Sequence, residues 1–121
     1  VESAYNVFFG YFGRTYGMRS YAHQIRVYNH HNELLSFEPT ELGDYIYIGN
    51  WLGSSIYDSY SGSLDAIAHE FTHGVSVSAC DLGSDGYNYI SGAIFESFSD
   101  IFGEFVEYQT LGSNDWVMEL I

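Results

Sequence analysis

The sequence predicts an α+β domain: one helix, then short mixed strands, then two further helices. Three observations carry that reading. Apolar residues recur at helical spacing over 7–12, 64–75 and 94–105. Between the first and second of these lie short runs rich in β-branched and aromatic residues, Ile25–Val27, Leu34–Phe37, Tyr45–Ile48 and Ile56–Tyr57. Stretches of Gly, Ser, Asn and Asp separate the runs. At 121 residues and 46% hydrophobic, with nine Phe and twelve Tyr, the chain has material for one core.

Each element has its local reason. Val7, Phe8, Tyr11 and Phe12 mark the first helix, which Gly13 and Gly17 end. Asn29-His30-His31-Asn32 reads as a turn between strands, with both histidines solvated rather than metal-binding. Ser61-Gly62-Ser63 leads into the second helix, whose core stripe is Leu64, Ala68, Phe71 and Val75. Asp81 to Asn88 is a loop. Ser91 is the expected N-cap of the third helix. Ile94, Phe98, Ile101, Phe102 and Phe105 give that helix a stripe expected to face the core. Leu111 to Asn114 is a loop again. The lone cysteine, Cys80, falls at the end of the second helix and cannot form an intrachain disulfide.

Charge narrows the partners. Sixteen acidic residues stand against three arginines (Arg14, Arg19, Arg26), a formal net charge of −13. Phosphate backbones and anionic membranes would be repelled, so nucleic acid and membrane surfaces are not expected partners. No run of eighteen apolar residues occurs. The acidity suits solubility or hard cations; a merely acidic surface explains it as well.

The densest chemistry lies in His69-Glu70-Phe71-Thr72-His73. On a helix, residues four apart share a face, so both imidazoles can meet one Zn²⁺ at about 2.0–2.1 Å. Glu70 is rotated by roughly 100° from His69, toward an open coordination position. Two ligands and a base on one turn point to metal-assisted hydrolysis. A second cluster begins nineteen residues after His73: Gly92-Ala93-Ile94-Phe95-Glu96-Ser97-Phe98-Ser99-Asp100-Ile101-Phe102-Gly103. Glu96 and Asp100 are again four apart. Packed against the first helix, Glu96 can serve as third ligand, and Asp100 can accept the second ring N–H of a zinc-bound histidine. Taken alone, the same pair would read as a solvated helix face.

Together the two motifs resemble the thermolysin-like neutral metallopeptidases, with their H-E-x-x-H and G-A-x-N-E-x-x-S-D-I-F-G patterns. The resemblance extends over Ala4 to Tyr21, Asp65 to Val75, Ser91 to Tyr108 and Asp115-Trp116. It implies a zincin-like fold with His69, His73 and Glu96 as zinc ligands, Glu70 as general base and Asp100 as the partner of His69. It further implies that Tyr87 donates a hydrogen bond to the oxyanion, although an insertion lies between Leu82 and Tyr87. Finally, it implies a calcium site at Asp65, Glu107 and Asp115, with Glu119 nearby. One expected glutamate of that site is Val117 here, which weakens it. A peptide or protein substrate and secretion follow from the same resemblance.

Three departures qualify it. The family's Asn before the third ligand is Phe95. Its substrate-gripping Asn-Ala-x-Trp strand is matched only by Ile48-Gly49-Asn50-Trp51. A helical second lobe, carrying a histidine, an aspartate and an arginine, is not reached by Ile121, so residues 1–121 read as one partial catalytic domain. Two functions remain from the residues: a zinc endopeptidase, or a zinc-binding module that does not cleave. The intact Glu70 favours the first, and the missing lobe favours the second.

Overall fold

A computed structural model describes residues 1–14, 25–31, 35–40, 43–49, 63–80, 88–113 and 116. Their order is α1 (Glu2–Phe12), β1 (Ile25–His31), β2 (Leu35–Thr40), β3 (Gly43–Gly49), α2 (Leu64–Cys80) and α3 (Tyr89–Leu111). This is the expected α+β order. The Ile56–Tyr57 strand and the 81–87 loop lie outside the described residues.

Helix α1 buries Ala4, Val7 and Phe8. It stops at Gly13, whose φ of 65° lies in the left-handed region that favours glycine. There the Gly13 and Arg14 N–H groups donate to the Phe9 and Phe8 carbonyls, at 3.0 and 3.3 Å. Those bonds satisfy carbonyls that the helix end would leave open.

The three strands form one sheet in the order β1-β3-β2. β1 runs parallel to β3, pairing Val27 with Ile46, and β2 runs antiparallel to β3, pairing Phe37 with Ile46. Pro39 sits on β2, an edge strand among the described residues, the place in a sheet where a residue without an N–H is tolerated. Alternation decides the faces of β3: Ile46 and Ile48 are buried among the helices, while Tyr45 and Tyr47 stack with Tyr28 at 5.8 and 5.5 Å. Asn29, His30 and His31 continue β1, with a shift of register between Asn29 and His31. The expected turn there is therefore strand: pairing with β3 outweighs the turn preference of an Asn-flanked tetrapeptide.

The core joins α1, β3, α2 and α3 through Phe8, Ile46, Ile67, Phe71 and Val106. Phe8 meets Phe71 at 5.7 Å and Phe102 at 5.4 Å, so one ring ties three helices together. Ala68 and Phe71 lie in the core as expected, with Leu64 and Val75 partly buried against it.

Helix α3 departs from its expected face. Phe102 and Phe105 pack partly on the core, but Ile94, Phe98 and Ile101 are 41%, 43% and 49% exposed. The buried positions are Gly92, Phe95, Ser99, Gly103, Glu104 and Val106. Gly92, Ser99 and Gly103 make this face narrower than the expected stripe, and at Gly103 the two backbones come close. A Cβ built on Gly103 would lie 2.7 Å from the Asp65 carbonyl oxygen. The N-cap also differs. Asn88 holds that position, and Ser91 lies in the first turn with its hydroxyl 3.1 Å from the Asn88 side-chain oxygen.

Gly10 provides the contrast, since a Cβ there meets nothing within 4 Å. Gly10→Ala should raise stability by about 0.5–1 kcal/mol through helix propensity. Gly103→Ala should lower it, because the about 1–3 kcal/mol cost of overpacking exceeds that gain. Urea midpoints of the two variants check the sign; a stabilised Gly103→Ala would mean that the helices are not in backbone contact.

Candidate metal centre

Helix α2 is unusual in being buried on nearly every side. Asp65 through Gly74 are all buried, the polar His69, Glu70, Thr72 and His73 among them. Buried polar groups need partners, and α3 and the helix itself supply them. Thr72 Oγ1 donates to the Ala68 carbonyl at 2.7 Å.

The two histidines stand as their spacing requires. Their rings are 4.6 Å apart and nearly perpendicular. His69, Glu70 and His73 each offer a donor atom within 4.8 Å of the others, a cluster able to hold a metal ion. Glu96 approaches from α3. One carboxylate oxygen lies 3.1 Å from His69 Nε2 and the other 3.5 Å from His73 Nε2. Both Nε2 atoms thus point at the same carboxylate. The opposite ring nitrogens are held as well. His69 Nδ1 is 2.8 Å from Asp100 Oδ1, and His73 Nδ1 is 2.9 Å from Ser99 Oγ. Phe95 stacks on His73 with 4.2 Å between ring centres.

The five residues expected at the zinc, His69, Glu70, His73, Glu96 and Asp100, therefore meet on facing sides of α2 and α3. Tyr87 and Asp115 lie outside the described residues, as do Asn50, Trp51 and Glu119. Asp65 is buried at the start of α2, where Ser63 Oγ donates to its Oδ1 at 2.6 Å. Its other oxygen, Oδ2, is buried with no hydrogen-bond partner among the described residues. Glu107 is half-buried on α3. Nearby, buried Glu104 accepts the Trp116 backbone N–H at 3.1 Å. Cys80 closes α2, exposed, its thiol donating to the Ser76 carbonyl. Ser63, Ser99 and Glu104 were not singled out by sequence reasoning. Ser99 could have been: it lies three residues after Glu96 and one before Asp100.

Burial pushes the His73 imidazole down to about 3; His69 beside it adds to the fall and Asp100 opposes it. The ring is neutral near pH 7, the form that binds metals.

No family model matches the chain. Several curated proteins do. An extracellular elastase of Staphylococcus epidermidis is 34% identical over 106 residues, covering 82% of this chain and 20% of that protein. A bacillolysin of Bacillus amyloliquefaciens is 40% identical over 75 residues, covering 62% of the chain and 13% of its own length. The neutral protease NprE of Bacillus pumilus is 42% identical over 74 residues, 61% of the chain and 22% of that protein. The chain thus spans about a fifth or less of these relatives. Among solved structures, the precursor of protealysin, a metalloproteinase from Serratia proteamaculans, superposes with a TM-score of 0.70 at 22% identity. It covers 93% of this chain and 33% of its own, and so shares the fold.

The His73 shift sets a pH dependence. Unfolded, that histidine takes up a proton near its ordinary value of 6.5; folded, it stays neutral down to about 3. Between these values the unfolded state binds more protons, so this contribution is complete above about 6.5 and is lost as pH falls toward 3. The metal-free chain should lose up to about 1.4 kcal/mol per pH unit from this group across that window. Denaturant titrations from neutral pH down to about 4 should show a shallower slope in His73→Gln. Equal slopes would mean that His73 protonates in the folded state.

Proposed function

The chain belongs to the thermolysin-like (gluzincin) metallopeptidases, and we propose that these 121 residues are a zinc-holding module of that family that does not cleave peptides by itself. One observation carries the proposal: the Glu96 carboxylate lies within 3.1 and 3.5 Å of the two histidine Nε2 atoms. Two neutral imidazoles and a carboxylate are a donor set that suits Zn²⁺, and burial keeps His73 in the required form. His69, His73 and Glu96 would hold the ion, with Asp100 accepting the Nδ1–H of His69 and fixing its tautomer.

When bound, zinc would supply a Lewis acid to the reacting carbonyl and its attacking water. Glu70 is the base for that chemistry. It takes a proton from the attacking water and hands it to the leaving nitrogen. Tyr87 is assigned the hydrogen bond to the developing oxyanion, a contact of a kind commonly worth about 10²–10³-fold in rate. The contacts described at the cluster come from α2 and α3, while the chain matches only about a fifth of the extracellular elastase's length. Substrate grip and the remaining transition-state contacts are therefore assigned to parts of a longer protein. In that setting the same residues would make an endopeptidase acting on peptides or proteins. By likeness to the extracellular relatives, it would be secreted. Among the described residues no helix is long and apolar enough to cross a membrane.

Zinc analysis after dialysis tests the first step. The chain should retain near one equivalent, His69→Ala or His73→Ala should lose it, and Asp100→Ala should weaken retention by about 10–100-fold. Full metal in both histidine variants would refute the ligand assignment. For the chemistry, peptide cleavage by the isolated chain should be slow or absent. Glu70→Gln in a longer active protein should keep zinc and lose turnover. Brisk, chelator-sensitive cleavage by residues 1–121 would overturn the module reading.

A calcium site has its own supporting observation in the buried Oδ2 of Asp65, which has no hydrogen-bond partner among the described residues. A carboxylate oxygen left so is costly unless a cation meets it. Asp65, with Glu107 and Asp115, would supply the ligands. Calcium should raise the melting temperature, by the equivalent of about 2.7 kcal/mol at one hundred times Kd. Glu107→Gln should blunt the rise. A melting curve indifferent to calcium rules the site out.

A further inference from the structure

We infer that Ser99 is the positioning residue of His73, and that Phe95 and Ser99 together form the clamp that aims its Nε2 at the metal. The inference rests on the zinc reading above, and its test separates the two. Ser99 is fully buried, and its Oγ lies 2.9 Å from His73 Nδ1. On the far side of the ring, Nε2 faces Glu96 at 3.5 Å. A histidine that gives Nε2 to a metal must carry its proton on Nδ1. That Nδ1–H then donates to Ser99 Oγ.

Burial makes the contact matter. His73 is 5% exposed, so an Nδ1–H without an acceptor could not turn to bulk water. The other tautomer would be favoured instead, with its proton on the very nitrogen that the metal needs. Phe95, four residues before Ser99 on the same helix face, stacks on the ring at 4.2 Å with 28° between planes. Stacking fixes the plane of the imidazole; the hydroxyl fixes its rotation within that plane. Neither residue offers a metal donor, so both act only through His73. This is a different device from the one at His69, where a half-exposed carboxylate, Asp100, takes the ring proton.

The test is zinc titration of the chain against a competing chelator, with melting of the metal-free forms measured alongside. Ser99→Ala should weaken zinc binding by about 10–100-fold, the usual effect of losing a group that orients a ligand. Phe95→Ala added to Ser99→Ala should weaken binding further, because the imidazole then loses its stacking partner as well; a double variant no weaker than Ser99→Ala overturns the part assigned to Phe95. Nitrogen-15 histidine spectra give a readout that does not depend on how well a variant folds. In the zinc-loaded wild type the His73 Nδ1 proton should be present and protected from exchange with water. Zinc affinity unchanged in Ser99→Ala, or a freely exchanging Nδ1 proton in the wild type, overturns the assignment of Ser99. A wild type that takes up no zinc defeats instead the metal reading on which it rests.

Discussion

Everything at the centre depends on how closely α3 can approach α2. The limit is set at Gly103, where the Asp65 carbonyl occupies the space of a Cβ, 2.7 Å away. A side chain there would have to push the helix axes apart. Glu96 and Asp100 ride on the same helix, about two turns and one turn earlier respectively. Their contacts with His69, at 3.1 and 2.8 Å, leave little slack for such a shift. The packing of small residues and the geometry of the cluster are one constraint read at two places. Gly92 and Ser99 extend it along the same buried face.

That closeness settles an energetic conflict. A helix with His69, Glu70 and His73 in its buried stretch is a poor choice for stability alone, because each buried polar group loses its water. The loss is offset where α3 brings an acceptor to each ring, Asp100 to one and Ser99 to the other. The aromatic cluster around Phe8 supplies the apolar burial that holds the arrangement together, with Phe71 from α2 and Phe102 from α3 on the same ring. Stability is thus concentrated on α1 and on the face of α2 that carries Ile67, Ala68 and Phe71, and function on its polar face.

Much of this was legible in the residues. The H-E-x-x-H spacing fixes which side chains share a helix face whatever surrounds them, and Glu96 and Asp100 obey the same arithmetic. Gly13 ends α1 because a left-handed cap is a local event. The third helix was misread where the question became non-local. Periodicity finds an apolar stripe at Ile94, Phe98 and Ile101, but it cannot say which face meets a neighbour, and here the small-residue face does. The same blindness hid Ser99, whose role appears only when His73 is placed opposite it. The strand at Asn29 to His31 failed for a like reason: pairing with β3 lies outside the tetrapeptide that suggested a turn.

The two histidines end up held by unlike chemistry, and this bears on how the centre responds to its surroundings. His69 leans on a carboxylate whose side chain is 60% exposed, so its support is electrostatic and open to solvent and salt. His73 leans on a buried hydroxyl and a ring, which carry no charge and feel neither. His69 is then held on the more exposed mount, and His73 on the firmer one. Raised ionic strength should therefore loosen the centre from the His69 side, while the orientation of His73 persists.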